Sequence, residues 1–310
     1  MKPVHSLVVR NWKENEVQLV QFPRSHTIVS PSPFALKLET FLRMNDIKYH
    51  NVSNEFSKAS PKGQIPFIEL NGQQFSDSSF CIEKLRTAFN LSIDAHLNSN
   101  ERAQLRAFSA LIEESLFRCL QYDRSKDYGW LATDDKGISS HLKGIHNFSL
   151  FADQKTLHAQ GYGRHTQEEI EEIAKKDLMA LSTLLGDKPF LFGETATTLD
   201  ATLFGHLAQF TDAPLKMDSL KAFIETSTPN LAAFVKRMKE RYWPDWAQII
   251  EHLALNPEDL EKPKEATAAE AAAGENGTNG TDAQPKVVAT SVPEAVTSPA
   301  PEGIAVPAQG

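Results

Sequence analysis

Cysteine is scarce. Cys81 and Cys119 are the only two in 310 residues, and they lie far apart in segments patterned as helix, which excludes a disulfide scaffold. Free, partly buried thiols fit a reducing compartment, so the expected location is cytoplasmic. Positive charge is short as well. Lys and Arg total 32 against 40 Asp and Glu, a net charge of −8, and a nucleic-acid partner needs a basic face that this balance does not supply. No apolar run approaches the length of a membrane span, and the stretch MKPVHSLVVRNWKENE has none long enough for a signal peptide. No integral membrane segment is expected. The ten histidines show no metal-ligand spacing, and so few thiols cannot sequester a soft metal, so no metal site is expected. What remains is a globular composition, 41% apolar and 23% charged, long enough for two domains.

Residues 1–16 have no clear period and read as an N-terminal arm. Val17 to Phe22 alternates as a strand. Ser32 is a good helix cap and Pro33 a good first helical residue, with Leu38, Phe41 and Leu42 as the apolar stripe behind them. Asn45-Asp46 ends that helix, and Ile47 to Val52 reads as a second strand. Phe67 to Leu70 and Gln73 to Ser76 flank Asn71-Gly72, a two-residue hairpin signal. A helix from about Ser78 to Phe89 closes a β-α-β-β-β-α order. That order is thioredoxin-like, over residues 17–90. Residues 91–100 read as a linker. From 101 to 255 every strong pattern is helical: Leu105, Phe108, Ile112, Leu116 and Cys119 keep helical spacing, Thr166 and Glu169 form a capping box, and so do Thr197 and Asp200. Residues 261–310 carry no aromatic residue and much Ala, Pro, Gly, Thr and Glu. Such a segment buries too little apolar surface to offset its ordering entropy, and a disordered tail is expected.

The chemistry concentrates in SPKGQIPFIELNGQQFSDSS, residues 60–79. In a thioredoxin-like domain the proline before this hairpin is cis, which turns the Ile65 N–H and C=O toward a ligand groove; Pro66 is the candidate, with an edge-strand proline as the plainer reading. Asp77 and Ser78 stand where the next helix begins. They either cap it or offer an anion a hydroxyl, backbone N–H groups and a helix N-terminus, and both can hold at once.

A thioredoxin-like domain followed by a helical one resembles the glutathione S-transferase architecture. Ser32-Pro33-Phe34-Ala35 resembles the omega-class active-site tetrapeptide, with Ser in place of Cys. Longer blocks, SPFALKLETFLRMNDIKY (32–49), LLGDKPFLFG (184–193), TLDATLFGHLAQ (198–209) and RYWPDW (241–246), resemble the failed axon connections family, related to the metaxins and to the nematode cadmium-responsive proteins. The likeness runs from about residue 17 to 250. It implies glutathione as ligand or substrate, with Ile65 and Pro66 pairing its cysteine backbone. Asp77 and Ser78 would hold its γ-glutamyl end, and Lys62 its glycine carboxylate. Ser32 would donate to the thiolate, with Ser30 as the alternative hydroxyl; the plainer reading leaves Ser32 as a helix cap. Thr197 and Asp200 read as a structural capping box. His206 reads as a core histidine. Glu113, Glu114, Arg118 and Tyr122 either shape a second-substrate pocket or form a solvated face. Two functions stay open: a glutathione transferase, or a non-catalytic scaffold acting through protein partners in axon development or at organelle surfaces. A homodimer is compatible with either.

Overall fold

The computed structural model describes residues 1–127 and 154–260. The expected tail, 261–310, lies outside the described residues. The N-terminal half is built on a four-stranded sheet of order β3-β2-β5-β6. Its strands are β2 (Val17–Gln21), β3 (Tyr49–Ser53), β5 (Phe67–Leu70) and β6 (Gln73–Ser76). β2 runs parallel to β3 and antiparallel to β5, and β5 and β6 form the hairpin around Asn71-Gly72. Both turn residues have positive φ, 50° and 77°, the geometry that Asn-Gly favours.

One face of the sheet carries Val17, Leu19, Ile68 and Leu70. These pack with Leu38, Phe41 and Leu42 of α1 (Pro33–Met44) and with Cys81, Ile82 and Leu85 of α2 (Ser78–Ala88). The other face carries a polar row, Gln18, Glu69 and Gln74, in cross-strand register. The N-terminal arm covers it. The Val8 and Val9 N–H groups donate to the two Glu69 carboxylate oxygens at 2.6 and 2.9 Å, and Gln74 Nε2 donates to the Ser6 carbonyl at 2.9 Å. Trp12 lies over Gly72, where a Cβ would sit 3.1 Å from the indole. At its start the arm pairs as β1 (Lys2–Pro3) with β4 (Lys58–Ala59). The arm is therefore a layer of the fold, which its lack of period did not suggest.

The helical half opens at Asn98, whose side chain and Glu101 make a reciprocal capping box for α3 (Ser99–Ala110). The chain continues through a π-helical segment, Leu111–Leu116, into α4 (Phe117–Arg124). Residues 154–159 form α5. Then come α6 (Gln167–Leu185), α7 (Thr198–Thr211), α8 (Asp218–Thr226), α9 (Pro229–Tyr242), α10 (Trp246–His252) and the short α11 (Pro257–Leu260). α7 is buried nearly throughout, as a helix with few polar residues should be. It lies against α1 at Gly205, where a Cβ would come within 2.6 Å of both the Lys37 nitrogen and the Pro33 carbonyl. Only glycine permits that approach. α1 thus belongs to two cores: Leu38 and Phe41 face the sheet, and Leu36 joins the helical core.

Candidate functional site

The loop before α1 is held carbonyl by carbonyl. Val29 C=O accepts from Arg24 Nη1 at 3.2 Å, Ser30 C=O from Gln209 Nε2 at 3.2 Å, and Pro31 C=O from Arg124 Nη1 at 2.6 Å. These donors come from the sheet domain, α7 and the end of α4. Every one is buried, so the position of Ser32 is set by both halves of the protein. Ser32 has extended backbone (φ −97°, ψ 118°), and its Oγ accepts from the Ala35 N–H at 3.2 Å. The helix-capping reading of this residue is therefore realised. Capping uses a lone pair and leaves the hydroxyl proton available to an acceptor. The residue is 7% exposed. The Ser30 side chain is fully buried and donates to Gln21 Oε1 at 3.1 Å.

The Ile65–Pro66 peptide is cis. Ile65 makes no backbone hydrogen bond to the described residues. Beyond the hairpin, Asp77 caps α2, its Oδ1 accepting from Ser79 N–H at 3.0 Å and Phe80 N–H at 3.3 Å. Asp77 has φ 76° and ψ 125°, a region that non-glycine residues seldom enter and that costs on the order of 1–3 kcal/mol. Oδ2 of Asp77 makes no hydrogen bond to the described residues, nor does the hydroxyl of the buried Ser78. Lys62 lies with its ammonium 4.9 Å from the centroid of the Phe80 ring. Phe80 is 64% exposed on the first turn of α2, beside this group.

Lys37 joins these elements to the helical half. It is buried on α1, and its Nζ reaches Ser79 Oγ at 2.8 Å and Glu113 Oε1 at 2.6 Å. Glu113 lies in the π-helical segment, a distortion frequent at functional sites. Of the other helical candidates, Glu114 pairs with Arg118 at 3.1 Å and the Tyr122 hydroxyl reaches the His165 carbonyl at 3.5 Å. Lys37 itself gives no sequence signal, because its partners stand 42 and 76 residues away.

Asp200 is fully buried and accepts the Thr197 N–H at 2.7 Å, the Thr197 hydroxyl at 2.7 Å and the Leu191 N–H at 2.9 Å. Burial pushes its carboxyl up to about 6 against the downward pull of those bonds. Thr197 is the N-cap of α7 and Asp200 its capping-box partner. His206 is also fully buried, with Nδ1 2.9 Å from the Thr202 carbonyl and the Phe34 ring edge-on at 5.0 Å. Burial drives it down to about 3, so it stays neutral. Burial likewise pushes both thiols up to about 12. Neither is a nucleophile at neutral pH. Among the described residues no group of three or more His, Cys, Asp or Glu could hold a metal ion, and no helix is long and apolar enough to cross a membrane.

The arrangement matches known proteins at two levels. A family model described as the glutathione S-transferase N-terminal domain matches residues 33–130, and one described as the glutathione S-transferase C-terminal domain matches residues 174–238. Failed axon connections of Drosophila melanogaster is 36% identical over 274 residues, 83% of this chain and 65% of that protein, so the chain spans just under two thirds of that relative's length. An isoprene-epoxide glutathione S-transferase of Rhodococcus is 29% identical over 224 residues, 68% of this chain and 92% of the enzyme. Metaxin-2 of Mus musculus is 25% identical over 245 residues, 76% of this chain and 92% of that protein. Among solved structures, the β-etherase LigF of Sphingobium superposes with a TM-score of 0.53 at 16% identity, covering 73% of this chain and 95% of LigF. Poplar glutathione transferase F1 gives 0.51 at 13% identity, covering 76% and 98%; both likenesses concern the fold alone. A thioredoxin-like sheet domain joined to a helical domain, with these relatives, makes the chain a member of the glutathione S-transferase-like family that includes failed axon connections and the metaxins.

Proposed function

We propose that the protein binds glutathione in the groove between Ile65-Pro66, the N-terminus of α2 and the start of α1. The observation that carries this reading is that, among the described residues, neither the Ile65 backbone nor the Ser78 hydroxyl at the α2 N-terminus makes a hydrogen bond. The cysteine backbone of glutathione would pair with Ile65 as an added strand. Its γ-glutamyl carboxylate would take the Ser78 hydroxyl and the α2 dipole, and its ammonium Asp77 Oδ2. Lys62 stands ready for the glycine carboxylate. Ser32 would donate its hydroxyl proton to the sulfur at the N-terminus of α1. An ordinary thiol near 8.5 is only a few per cent ionised at neutral pH, so such donation supports conjugation to small electrophiles and not thiol–disulfide exchange. A cytosolic setting, in which thiols stay reduced, suits the two free buried cysteines.

Titration calorimetry of the full chain with reduced glutathione tests the binding. The expected Kd is micromolar to low millimolar, lost in the Asp77→Ala/Ser78→Ala double variant. Silence up to about 10 mM, a free energy no better than about −2.7 kcal/mol, removes the reading.

The burial and capping duty of Ser32 favour a second reading, a scaffold that keeps the fold and acts through protein partners. Ser32→Ala separates the two. In a transferase, bound thiol would ionise at higher pH and conjugation at pH 7 would fall about tenfold per pKa unit. A scaffold would bind without turning over, and Ser32→Ala would change only stability.

A further inference from the structure

Glu113 stands where the two halves of the protein meet. It lies in the π-helical segment between Ile112 and Leu116, which fill the helical core, yet its carboxylate is directed at the first turn of α2. One oxygen, Oε1, takes Lys37 Nζ at 2.6 Å. Among the described residues the other, Oε2, has only the Ser79 hydroxyl, 3.5 Å away and beyond the length of a firm O–H···O bond. The neighbouring Glu114 turns outward, 72% exposed, to pair with Arg118. Glu113 is 17% exposed, neither solvated like Glu114 nor sealed like Glu39.

Ser79 brings a second carboxylate to the same place. Its hydroxyl accepts from Lys37 Nζ at 2.8 Å and faces Glu113 Oε2, while its N–H donates to Asp77 Oδ1 at 3.0 Å. Asp77 Oδ2 and the Ser78 hydroxyl make no hydrogen bond among the described residues, and Ser78 is buried. The Lys37 ammonium is buried and engaged on both sides, by Glu113 and by Ser79. The start of α2 therefore carries two carboxylates against one ammonium that is already paired. A helix N-terminus attracts an anion, but a bare carboxylate arriving here meets two others. A group with a carboxylate and an ammonium on one carbon avoids that repulsion. Its carboxylate goes to the Ser78 hydroxyl and its ammonium lies between the two acids.

We propose that Glu113 is a ligand-binding residue of the glutathione groove and, with Asp77, holds the α-ammonium of the γ-glutamyl end. This role rests on the proposed glutathione site and extends it into the helical half. The test sets glutathione against N-glutaryl-cysteinylglycine, which keeps both carboxylates and the thiol but lacks the ammonium, by titration calorimetry of the full chain. The parent is expected to bind glutathione at least about tenfold tighter than the analogue. Glu113→Gln should weaken glutathione at least about fivefold and leave the analogue's affinity equal or higher. Lys37→Met/Glu113→Gln, which strands no charge in the interior, should match Glu113→Gln. Parent-like glutathione affinity in both variants overturns the role of Glu113 and leaves the groove standing. Equal loss of both ligands overturns it too, since a merely structural residue would weaken them alike. So does a parent preference for glutathione below about twofold, because no ammonium is then read. A parent that binds neither ligand at about 10 mM removes the groove itself, and this role with it.

Discussion

Two buried carboxylates respond to pH in opposite directions. Glu39 is enclosed with Arg24, their side chains 0% and 1% exposed, and the pair is 2.8 Å apart. Burial alone would raise Glu39, but the charge and hydrogen bonds of Arg24 reverse this and hold it at about 2. A carboxyl lower in the folded state than in the unfolded chain contributes stability above its unfolded value, near 4.5, and loses it as pH falls toward 2. Asp200 does the reverse. Its folded value, about 6, lies above the ordinary 3.8, so the folded protein binds the extra proton and stability declines as pH rises from about 4 to 6. Asp200→Asn is expected to flatten that limb of a urea-midpoint-versus-pH curve while leaving the limb below pH 4; an unchanged slope between 4 and 6 would assign it elsewhere. Glu39→Gln strands the Arg24 charge in the interior and should cost about 3–5 kcal/mol. A urea midpoint close to the parent's would refute that. The caps at Ser32 and Asp77 were legible because a cap is a local pattern. The Arg24–Glu39 and Lys37–Glu113 pairs were not, because inside an amphipathic helix a charged residue reads as solvent-facing until its distant partner is known.

The order β2-α1-β3-β5-β6-α2 and the starts of α6 and α7 were legible for the same reason, from strand alternation, the Asn71-Gly72 turn and the capping boxes, while β1, β4 and α8 were not. What periodicity could not supply was the contact between elements. α1 and α7 meet at Gly205, and the sequence offers no hint that this glycine, alone among the apolar residues of its helix, sets how closely the two halves approach. Gly205→Ala places a methyl where the α1 backbone now lies. Neither backbone can yield without tilting a helix, so a cost of about 1–3 kcal/mol is expected. If the proposed glutathione site is real, then because Ser32 caps α1 the tilt should also weaken glutathione binding without any change at Asp77 or Ser78. Parent-like affinity together with a parent-like melting midpoint would show that the helix contact is softer than the geometry implies. The π-helical segment was equally invisible: LIEESL has no breaker, and its widened turn is seen only with Glu113 directed at Lys37.

At the scale of the whole molecule, both ends of the described chain return to the sheet domain. The arm covers the polar face through Glu69, and the segment after α10 closes the open edge of β3. That closure is made by one side chain. Asn256 Oδ1 accepts the Asn51 N–H at 2.7 Å and its Nδ2 donates to the Asn51 carbonyl at 2.9 Å, so the amide stands in for a neighbouring strand. Beside it, Ala254 and Leu255 give their carbonyls to Arg24, at 3.2 and 3.0 Å, and Arg24 also holds Val29 in the loop before Ser32. Unpaired edges invite strand addition by other chains, so the amide both satisfies Asn51 and blocks that route. Asn256→Ala removes both bonds and should cost about 1–3 kcal/mol, the price of leaving buried backbone groups unsatisfied. The effect should be local as well as global. The Asn51 amide should exchange slowly with deuterium in the parent and early in the variant, and the Val29–Ser32 loop should follow because Arg24 loses its frame. Asn256→Asp keeps the acceptor and loses the donor, so it should protect the Asn51 N–H while freeing the carbonyl. If Asn51 exchanges no faster in Asn256→Ala than in the parent, the edge is closed by something other than this amide.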